Sequence, residues 1–352
     1  MTLFVGVDVG GTTTTISVGD EQRNVLRVGE QFPTCSEDGP ATTTGNIVDQ
    51  IAQTLDQLGH HPNEVRSIAL ATPGPATLDG VLLQTPNLDP QQWDRCPIRA
   101  KLEEAFASLA SNVPVTYVGD GQAAALGEYA ARTGNIQWSE ISFPPDSQPT
   151  EISSLFMVAV GTGFGGGEVR DGVTIRGEKG RAGHAGHLML PADAFRFEHD
   201  QQLKVGNAYC TTESAVSLTA LTHQLGYRLS LDTWRDHSLN SVAGTMKDKA
   251  KRLRELAADG DALALQLFDD QARAMGISLL MINYIGDYDL LVIGGGVCDL
   301  TSDLRDRYLQ TAKQAYLDHA LDGFRDSVKI KFSICGDHAS VIGALYHAYG
   351  TN

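Results

Sequence analysis

The hydrophobic and polar positions along the chain alternate between short β-branched runs and longer segments with apolar residues at helical spacing. In the first half, the predicted strands lie at residues 2–9, 13–20, 65–75 and 113–120. The predicted helices lie at residues 43–59 and 121–133, and the first of them stops at Gly59. This succession of strands and helices indicates one α/β lobe.

The second half of the chain repeats the pattern with which the first half opens. Residues 153–169 form an apolar β run, a turn rich in glycine and threonine, and a second β run. Helical segments follow from about residue 211, and two further strands and a last helix are predicted at residues 287–297, 328–334 and 338–349. The repetition predicts two duplicated α/β lobes that face a cleft, because α/β folds commonly bind ligands at strand ends.

The size and charge of the chain narrow the classes of function. Its 352 residues exceed the size at which one hydrophobic core usually keeps growing, which favours two lobes. The formal net charge of -16 argues against nucleic acid or an anionic membrane surface as the main partner, since both favour basic patches. The basic segment at residues 247–256 is typical of a solvated helix face on an acidic protein. A soluble protein that handles small molecules fits this composition best.

The expected location is the cytoplasm. No apolar run approaches the roughly 20 residues that a membrane-spanning helix needs, and the first residues lack the charged start and the cleavage site of a signal peptide. The five cysteines are odd in number and show no CxxC pair, which indicates reduced thiols.

Three glycine-rich turns are the main candidates for binding chemistry. Gly10–Gly11 joins the first two strands, Gly161–Gly163 joins the corresponding strands of the second half, and Gly294–Gly296 follows a buried strand. Glycine lets backbone N–H groups converge on an anion, and threonine hydroxyls add donors. Each turn alone is also explained as ordinary loop chemistry. Their shared position at strand ends favours the binding of phosphate and of a nucleotide.

An ordered set of six segments resembles one known family. The segments are VDVGGT, ATPGP, GDGQAAALGE, VGTGFGGG, AGHAGH and VIGGGV, in this order over nearly the whole chain. They resemble the ROK family of sugar kinases and sugar-responsive repressors, within the actin/hexokinase superfamily. The resemblance implies an actin-like ATPase fold, of the ribonuclease H-like kind, with two duplicated α/β lobes and an interlobe cleft. The family's repressors carry an additional N-terminal DNA-binding segment; here the first strand begins within the first three residues, so a kinase is expected.

The resemblance assigns nucleotide-binding roles to the three turns. The first phosphate loop would consist of Asp8, Gly10, Gly11 and Thr12. Asp8 would also orient Mg²⁺ through water. The second phosphate loop would consist of Gly161, Thr162, Gly163 and Gly165. The residues expected to contact the adenosine are Gly294, Gly295 and Gly296. ATP and Mg²⁺ are therefore the implied phosphoryl donor and cofactor.

Asp120 is the candidate catalytic residue. From the residues alone, a carboxylate between a strand and a helix serves equally well as a general base or as a helix N-cap. The resemblance favours the base, which takes the proton of the attacking sugar hydroxyl, and also implies contact with the sugar. The other substrate-binding positions are Gly74, Asn87, His184, His187 and Glu213. Asn87 as a turn residue and Glu213 as a first-turn glutamate have structural alternatives.

Three positions depart from the family pattern. Gly119 stands where the family usually has Asn, and His184 where it usually has Glu, so two contacts to sugar hydroxyls are missing or rebuilt. Many relatives hold a structural zinc with one histidine and three cysteines, whereas only Cys210 remains in the corresponding stretch. We therefore expect no bound structural metal.

The resulting hypothesis is an ATP-dependent kinase that transfers the γ-phosphoryl group to a hexose hydroxyl, with glucose as the first candidate. A fructose or N-acetylhexosamine kinase, a polyphosphate-dependent enzyme and a catalytically impaired sugar-binding homologue stay open as alternatives. The expected partners are the sugar and ATP, with neither nucleic acid nor membrane, and a homodimer is one option for the oligomeric state.

The expected domain boundaries follow from the same hypothesis. The N-terminal lobe would comprise residues 1–120 and 337–352, because the last helix is expected to return to it. The C-terminal lobe would comprise residues 121–336. The crossings near residues 121 and 336 are then the predicted hinges.

Overall fold

The structure, a computed structural model, describes residues 1–83, 88–141 and 151–350. The chain divides into two compact units. The first unit comprises Met1–Met157, Gly167–Gly183 and Ile334–Asn352, and the second comprises Val158–Gly166 and His184–Ser333.

The first unit contains a mixed sheet of six short and medium-length strands. They are β1 (Leu3–Val9), β2 (Thr13–Asp20), β3 (Val25–Val28), β4 (Phe32–Pro33), β5 (Val65–Thr72) and β6 (Val115–Gly119). The spatial order is β3-β2-β1-β5-β6, and β4 pairs with β2. β1 is antiparallel to β2 and parallel to β5, and β5 is parallel to β6. The carboxyl ends of β1, β5 and β6 therefore lie at the same edge of the sheet, where α/β folds bind ligands.

Five helices complete the described part of the first unit. They are α1 (Pro40–Gln57), α2 (Pro90–Trp93), α3 (Ile98–Phe106), α4 (Asp120–Arg132) and, at the end of the chain, α11 (Ala339–Ala348). α1 and α3 pack against one another, whereas α11 packs against β1, β5 and α4. At Gly343 a Cβ would overlap the carbonyl oxygen of Ala123, so only glycine allows α11 to approach α4 so closely. This contact fixes α4, and Asp120 at its start, relative to the sheet.

The packing of α4 explains why the first unit extends beyond the boundary expected at residue 120. The carboxylate of Glu128, fully buried in α4, accepts hydrogen bonds from the N–H groups of Ile334 (2.9 Å) and Cys335 (3.2 Å). The helix is thus joined to the segment that returns at residue 334, and residues 121–157 and 167–183 belong to the first unit. The return itself lies three residues before the boundary expected at residue 337.

The second sheet has five strands. They are β7 (Ser154–Val160), β8 (Phe164–Arg170), β9 (Val173–Thr174), β10 (Leu290–Gly295) and β11 (Ile330–Phe332). Their spatial order is β11-β10-β7-β8-β9. The chain leaves the first unit within β7 and re-enters it within β8, so the turn between these strands belongs to the second unit.

The second unit is rich in helices. They are α5 (Thr212–Ala215), α6 (Leu218–Ser230), α7 (Met246–Lys251), α8 (Leu253–Ala258), α9 (Ala262–Gly286) and α10 (Ser302–His319). α9 is buried along most of its length and packs against α8 and α10. None of the described helices combines the length and the apolar character needed to cross a membrane.

Candidate active site

The edge of the first sheet brings together several of the predicted site residues. Asp8 is the penultimate residue of β1 and pairs in register with Ala71 of β5, while Thr72 pairs with Gly119 of β6. Asp120 follows Gly119 directly. Since β1 and β6 are two strands apart, their ends are separated by about 10 Å. The two carboxylates that the sequence singled out thus share one edge of the first unit.

The first glycine turn has its carbonyl oxygens occupied by neighbouring donors. The Thr34 hydroxyl donates to the carbonyl of Gly10 (2.8 Å), and the Thr34 N–H donates to that of Thr12 (2.9 Å). The Ser36 hydroxyl donates to the carbonyl of Gly11 (3.3 Å). Within the described residues, the N–H groups of Gly11 and Thr12 have no acceptor. The turn therefore presents unpaired donors, as an anion-binding loop requires.

The Asp8 carboxylate is half-buried beside this turn and is held by α11. The Ser340 hydroxyl, near the start of α11, donates to its Oδ1 at 2.8 Å. Burial raises the pKa of Asp8 to about 7; the Ser340 hydrogen bond lowers this pKa, and the charge of Asp120 raises it further. Two carboxylates that repel one another at a binding edge favour a bound cation.

Asp120 is the first residue of α4, and Gly119 is the N-cap. The alternative interpretation of Asp120 as the N-cap residue therefore does not describe this helix. Its Oδ1 accepts a hydrogen bond from the Gly121 N–H at 2.7 Å. Asp120 keeps an exposed surface, yet the protein around its carboxylate excludes enough water to raise its pKa to about 6, against the opposing effect of the Gly121 N–H. The residue is thus ionised at neutral pH and has the basicity of a proton acceptor.

The loop that follows β5 carries Gly74, and the Gly74–Pro75 peptide bond is cis. At the base of this loop, the Thr72 hydroxyl and the Tyr117 hydroxyl lie 3.0 Å apart. In the first turn of α4, the Gln122 amide donates to the Ala182 carbonyl at 2.9 Å. Asn87 lies outside the described residues, so its predicted sugar contact stays a prediction.

The second glycine turn is oriented by the start of α6. The Leu218 N–H donates to the Gly161 carbonyl (2.9 Å), and the Thr219 hydroxyl donates to the Thr162 carbonyl (2.8 Å). In the described chain, no acceptor pairs with the N–H groups of Thr162 and Gly163. Gly165, in β8, has open space where a Cβ would lie. This turn also presents free donors, with its carbonyls directed towards the helix.

Glu213 supports the second turn as well. Its Oε2 accepts a hydrogen bond from the Phe164 N–H at 2.8 Å and lies so close to Gly163 that a Cβ there would come within 2.7 Å. His184 is the N-cap of a short 3-10 helix and His187 is its last residue; both are exposed, and their ring centroids lie 6.4 Å apart. Glu213 thus has a demonstrated contact to the loop, while its sugar contact stays a prediction.

The third glycine turn follows β10 and is pressed against β7. Gly295 has φ +77°, and a Cβ there would overlap the carbonyl oxygen of Val160. Val160 directly precedes the second glycine turn. The second unit therefore places the candidate adenosine turn beside the candidate phosphate loop, as one nucleotide requires.

Comparisons with known proteins identify the family of this chain. Residues 4–350 match the ROK family model. The chain belongs to the ROK family. It is 28% identical over 350 residues to a glucokinase of Halalkalibacterium halodurans, an alignment that covers 97% of this chain and 93% of the relative.

Two solved structures share the ROK fold with this chain. The ROK hexokinase of Thermus thermophilus aligns with a TM-score of 0.73 and 26% identity over 99% of this chain and 98% of the other. A ROK family glucokinase of Streptomyces griseus, solved with glucose and AMPPNP, aligns with a TM-score of 0.71 and 23% identity over 99% of each chain. The expected actin-like α/β fold is confirmed.

The ROK zinc motif has no counterpart among the described residues, where no group of three or more His, Cys, Asp or Glu side chains could hold a metal ion. Cys210 instead lies 3.7 Å from the carbonyl oxygen of Gln201. A buried ion pair holds the same stretch: Arg228 of α6 donates to both carboxylate oxygens of Asp200, at 2.9 and 2.7 Å.

Several residues of this ROK site have no signal in the sequence. Ser340 contacts Asp8 across 332 positions, and Thr34, Ser36 and Thr219 orient the two turns from other segments. Serine and threonine at such places are common in any loop or helix start. Only the folded chain shows which carbonyl or carboxylate each hydroxyl serves.

Proposed function

We propose that this chain is an ATP-dependent hexose kinase with glucose as its main acceptor. Membership of the ROK family and the likeness to glucokinases and to a ROK hexokinase support a sugar kinase. The AMPPNP in the Streptomyces griseus structure supports ATP as the donor. None of the five cysteines, all within the described residues, forms a disulfide, which supports a reducing compartment such as the cytoplasm.

The observation that carries the proposal is the position of Asp120 at the sheet edge that also holds Asp8 and the first glycine turn. Phosphoryl transfer leaves the protein mainly to position the reactants and to stabilise charge. Asp120, with a pKa of about 6, accepts the proton of the sugar hydroxyl as that oxygen attacks the γ-phosphorus. The hydroxyl oxygen then carries the phosphoryl group, and ADP leaves with the electrons of the broken bond.

Each unit carries an anion-binding turn of its own. The N–H groups of Gly11 and Thr12 provide the donors in the first unit, and those of Thr162 and Gly163 provide them in the second. Gly294–Gly296 contact the adenosine, and Gly295 holds this turn against Val160, next to the second phosphate loop. Gly74, Asn87, His184, His187 and Glu213 contribute to binding of the sugar.

The residues at the first sheet edge fit Mg²⁺. This ion is usually held by one or two carboxylates, several waters and the phosphates of the substrate, rather than by a complete protein cage. Asp8 matches such a partial site. Burial and the charge of Asp120 both raise its pKa. When bound, Mg²⁺ would neutralise charge on the phosphates, and Asp8 would orient it through water.

The main alternative is a sugar-binding homologue without turnover, which the missing side chain at Gly119 and the histidine at His184 favour. Incubation of the purified protein with ATP, Mg²⁺ and each of glucose, fructose, N-acetylglucosamine and N-acetylmannosamine separates the two. The proposal expects ADP formation that depends on the sugar and is fastest with glucose. Sugar binding by calorimetry without ADP formation on any sugar would favour the alternative. Activity with polyphosphate but not ATP would contradict the donor.

A further inference from the structure

The third glycine turn has a neighbour that the sequence analysis placed in a solvated helix face. Arg254, in α8, donates from Nη1 to Oδ2 of Asp299 at 3.1 Å. Its guanidinium also lies over Gly296: a Cβ at that glycine would overlap Nη2 and would lie 3.6 Å from Cζ. Asp299 ends the short 3-10 helix that begins at Gly296. The arginine is therefore held across the turn at two points.

The ion pair of Arg254 with Asp299 is not needed for the stability of the fold. Its side chain is 48% exposed and that of Asp299 is 50% exposed, and an ion pair this open to solvent contributes little to folding. Although the side chain lies along a glycine turn, about half of it is exposed, so part of the guanidinium is accessible to a ligand. A planar cation of this kind binds aromatic rings through its face.

We propose that Arg254 is a nucleotide-binding residue that stacks on the base of the donor, with Asp299 as the residue that positions it. The inference rests on the proposed function, because it takes the turn at Gly294–Gly296 as the adenosine site. Gly295 presses the turn onto Val160, and the phosphate loop starts at the next residue. A nucleotide whose phosphates reach Thr162 and Gly163 therefore has its base and ribose on the side of Gly296 and Arg254.

Stacking and phosphate binding by Arg254 predict different results. A guanidinium that contacts the base increases the affinity for adenosine, ADP and ATP by the same factor and leaves the affinity for tripolyphosphate unchanged. A guanidinium that contacts phosphate increases the affinity for ADP, ATP and tripolyphosphate but leaves the affinity for adenosine unchanged. The proposal commits to the first pattern.

The test compares the wild-type protein with Arg254→Ala and with Arg252→Ala. Arg252 is exposed, lies two residues earlier and has the same charge, so it is the matched control. Binding of adenosine, ADP and tripolyphosphate is measured by calorimetry on the full chain, and the KM for ATP and for glucose is measured where turnover occurs. Arg254→Lys keeps the charge without the plane, and Asp299→Asn releases the guanidinium from its anchor.

The expected result is that Arg254→Ala weakens adenosine and ADP alike by about 3- to 30-fold, the range of a cation–π contact, while tripolyphosphate and the KM for glucose stay unchanged. Arg252→Ala should behave as wild type, Arg254→Lys should recover little affinity, and Asp299→Asn should give a smaller loss than Arg254→Ala. Equal adenosine affinity in the wild type and Arg254→Ala overturns the assignment. A loss confined to ligands with phosphates overturns the stacking role.

Failure of the proposed function gives a different result. A wild-type protein that binds neither adenosine nor ADP contradicts the nucleotide site itself, and with it the role of Arg254. A wild-type protein that binds adenosine and turns over ATP, but is indifferent to Arg254, leaves the kinase assignment standing and removes only this residue.

Discussion

The first and second glycine turns of this chain have the same backbone pattern but different supports. The sequences VDVGGT at residues 7–12 and VAVGTG at residues 158–163 both end a buried strand. In both turns the carbonyls are bonded, while two N–H groups have no acceptor among the residues that the structure describes. In the first turn, side chains of the loop after β4 hold the carbonyls. In the second, the start of α6 holds them. In each turn, a neighbouring element bonds the carbonyl oxygens, and the N–H groups are left as donors.

The turns differ most in charge. Asp8 of the first turn corresponds in this alignment to Ala159 of the second, so only the first has a carboxylate in its strand. The second turn has Glu213 nearby, but its Oε2 is bonded to the Phe164 N–H. The first turn is thus suited to chemistry that involves a cation and a proton, and the second to holding phosphate through the backbone.

Asp8→Asn makes the first turn as neutral as the second and has the largest expected effect on this contrast. Turnover should fall about 10- to 100-fold, as is typical when a group that orients a metal ion is lost. Glucose binding should be retained, because Asn keeps the size of Asp. The check is steady-state kinetics over a range of Mg²⁺ concentrations, where the wild type should need less Mg²⁺. Identical Mg²⁺ dependence in both proteins would remove the distinction between the turns.

Thr219→Val weakens the support of the second turn alone, because the Thr219 N–H still donates to the Thr162 carbonyl at 3.3 Å. The hydroxyl that holds the Thr162 carbonyl is lost, the turn gains freedom, and the KM for ATP should rise about 2- to 10-fold, the range of one hydrogen bond. Thr222→Val is the matched control, because the Thr222 hydroxyl donates to the Leu218 carbonyl within the same helix. A KM for ATP that rises equally in both variants would mean that the helix, and not the turn, is what changed.

Ser340→Ala sharpens the contrast through pH and has the smallest expected effect. The Ser340 hydrogen bond favours ionised Asp8, so its loss raises the pKa of Asp8 above the value of about 7. Less Asp8 is then ionised near neutral pH, and kcat/KM should fall below about pH 7 while it stays near wild type at pH 9. Adding Ser340→Ala to Asp8→Asn should cause no further shift of the acid limb. A shift that persists in the double variant would assign the effect to another group.

The sequence predicts the elements of this site better than their contacts. The strands at residues 2–9 and 113–120 and the turns that follow them have local signals in β-branched runs and glycines, and Asp120 was placed correctly between strand and helix. Local signals cannot tell that Gly119 is the N-cap, that α4 packs through Gly127 and Gly343 on the last helix, or that Ser340 meets Asp8. Those facts depend on which segments become neighbours in the fold.

Arg254 shows the same limit for charged residues. In the sequence it belongs to a run of lysines and arginines that is typical of a solvated helix face, and it is indeed half exposed. Its contact with Gly296 depends on how α8 is placed beside the turn after β10.

Asp120→Asn, compared with the wild type, tests the central claim most directly. The amide keeps the size and the hydrogen bond to the Gly121 N–H but cannot accept the proton, so kcat for ATP-dependent phosphorylation of glucose should fall about 10²- to 10⁴-fold. Glucose affinity, measured by calorimetry, should stay within about twofold of wild type, since binding does not need the proton transfer. In the wild type, kcat should decline as the pH falls through about 6, because Asp120 is then protonated. A variant that binds glucose normally and turns over at near wild-type rate would contradict the role of Asp120 as the base.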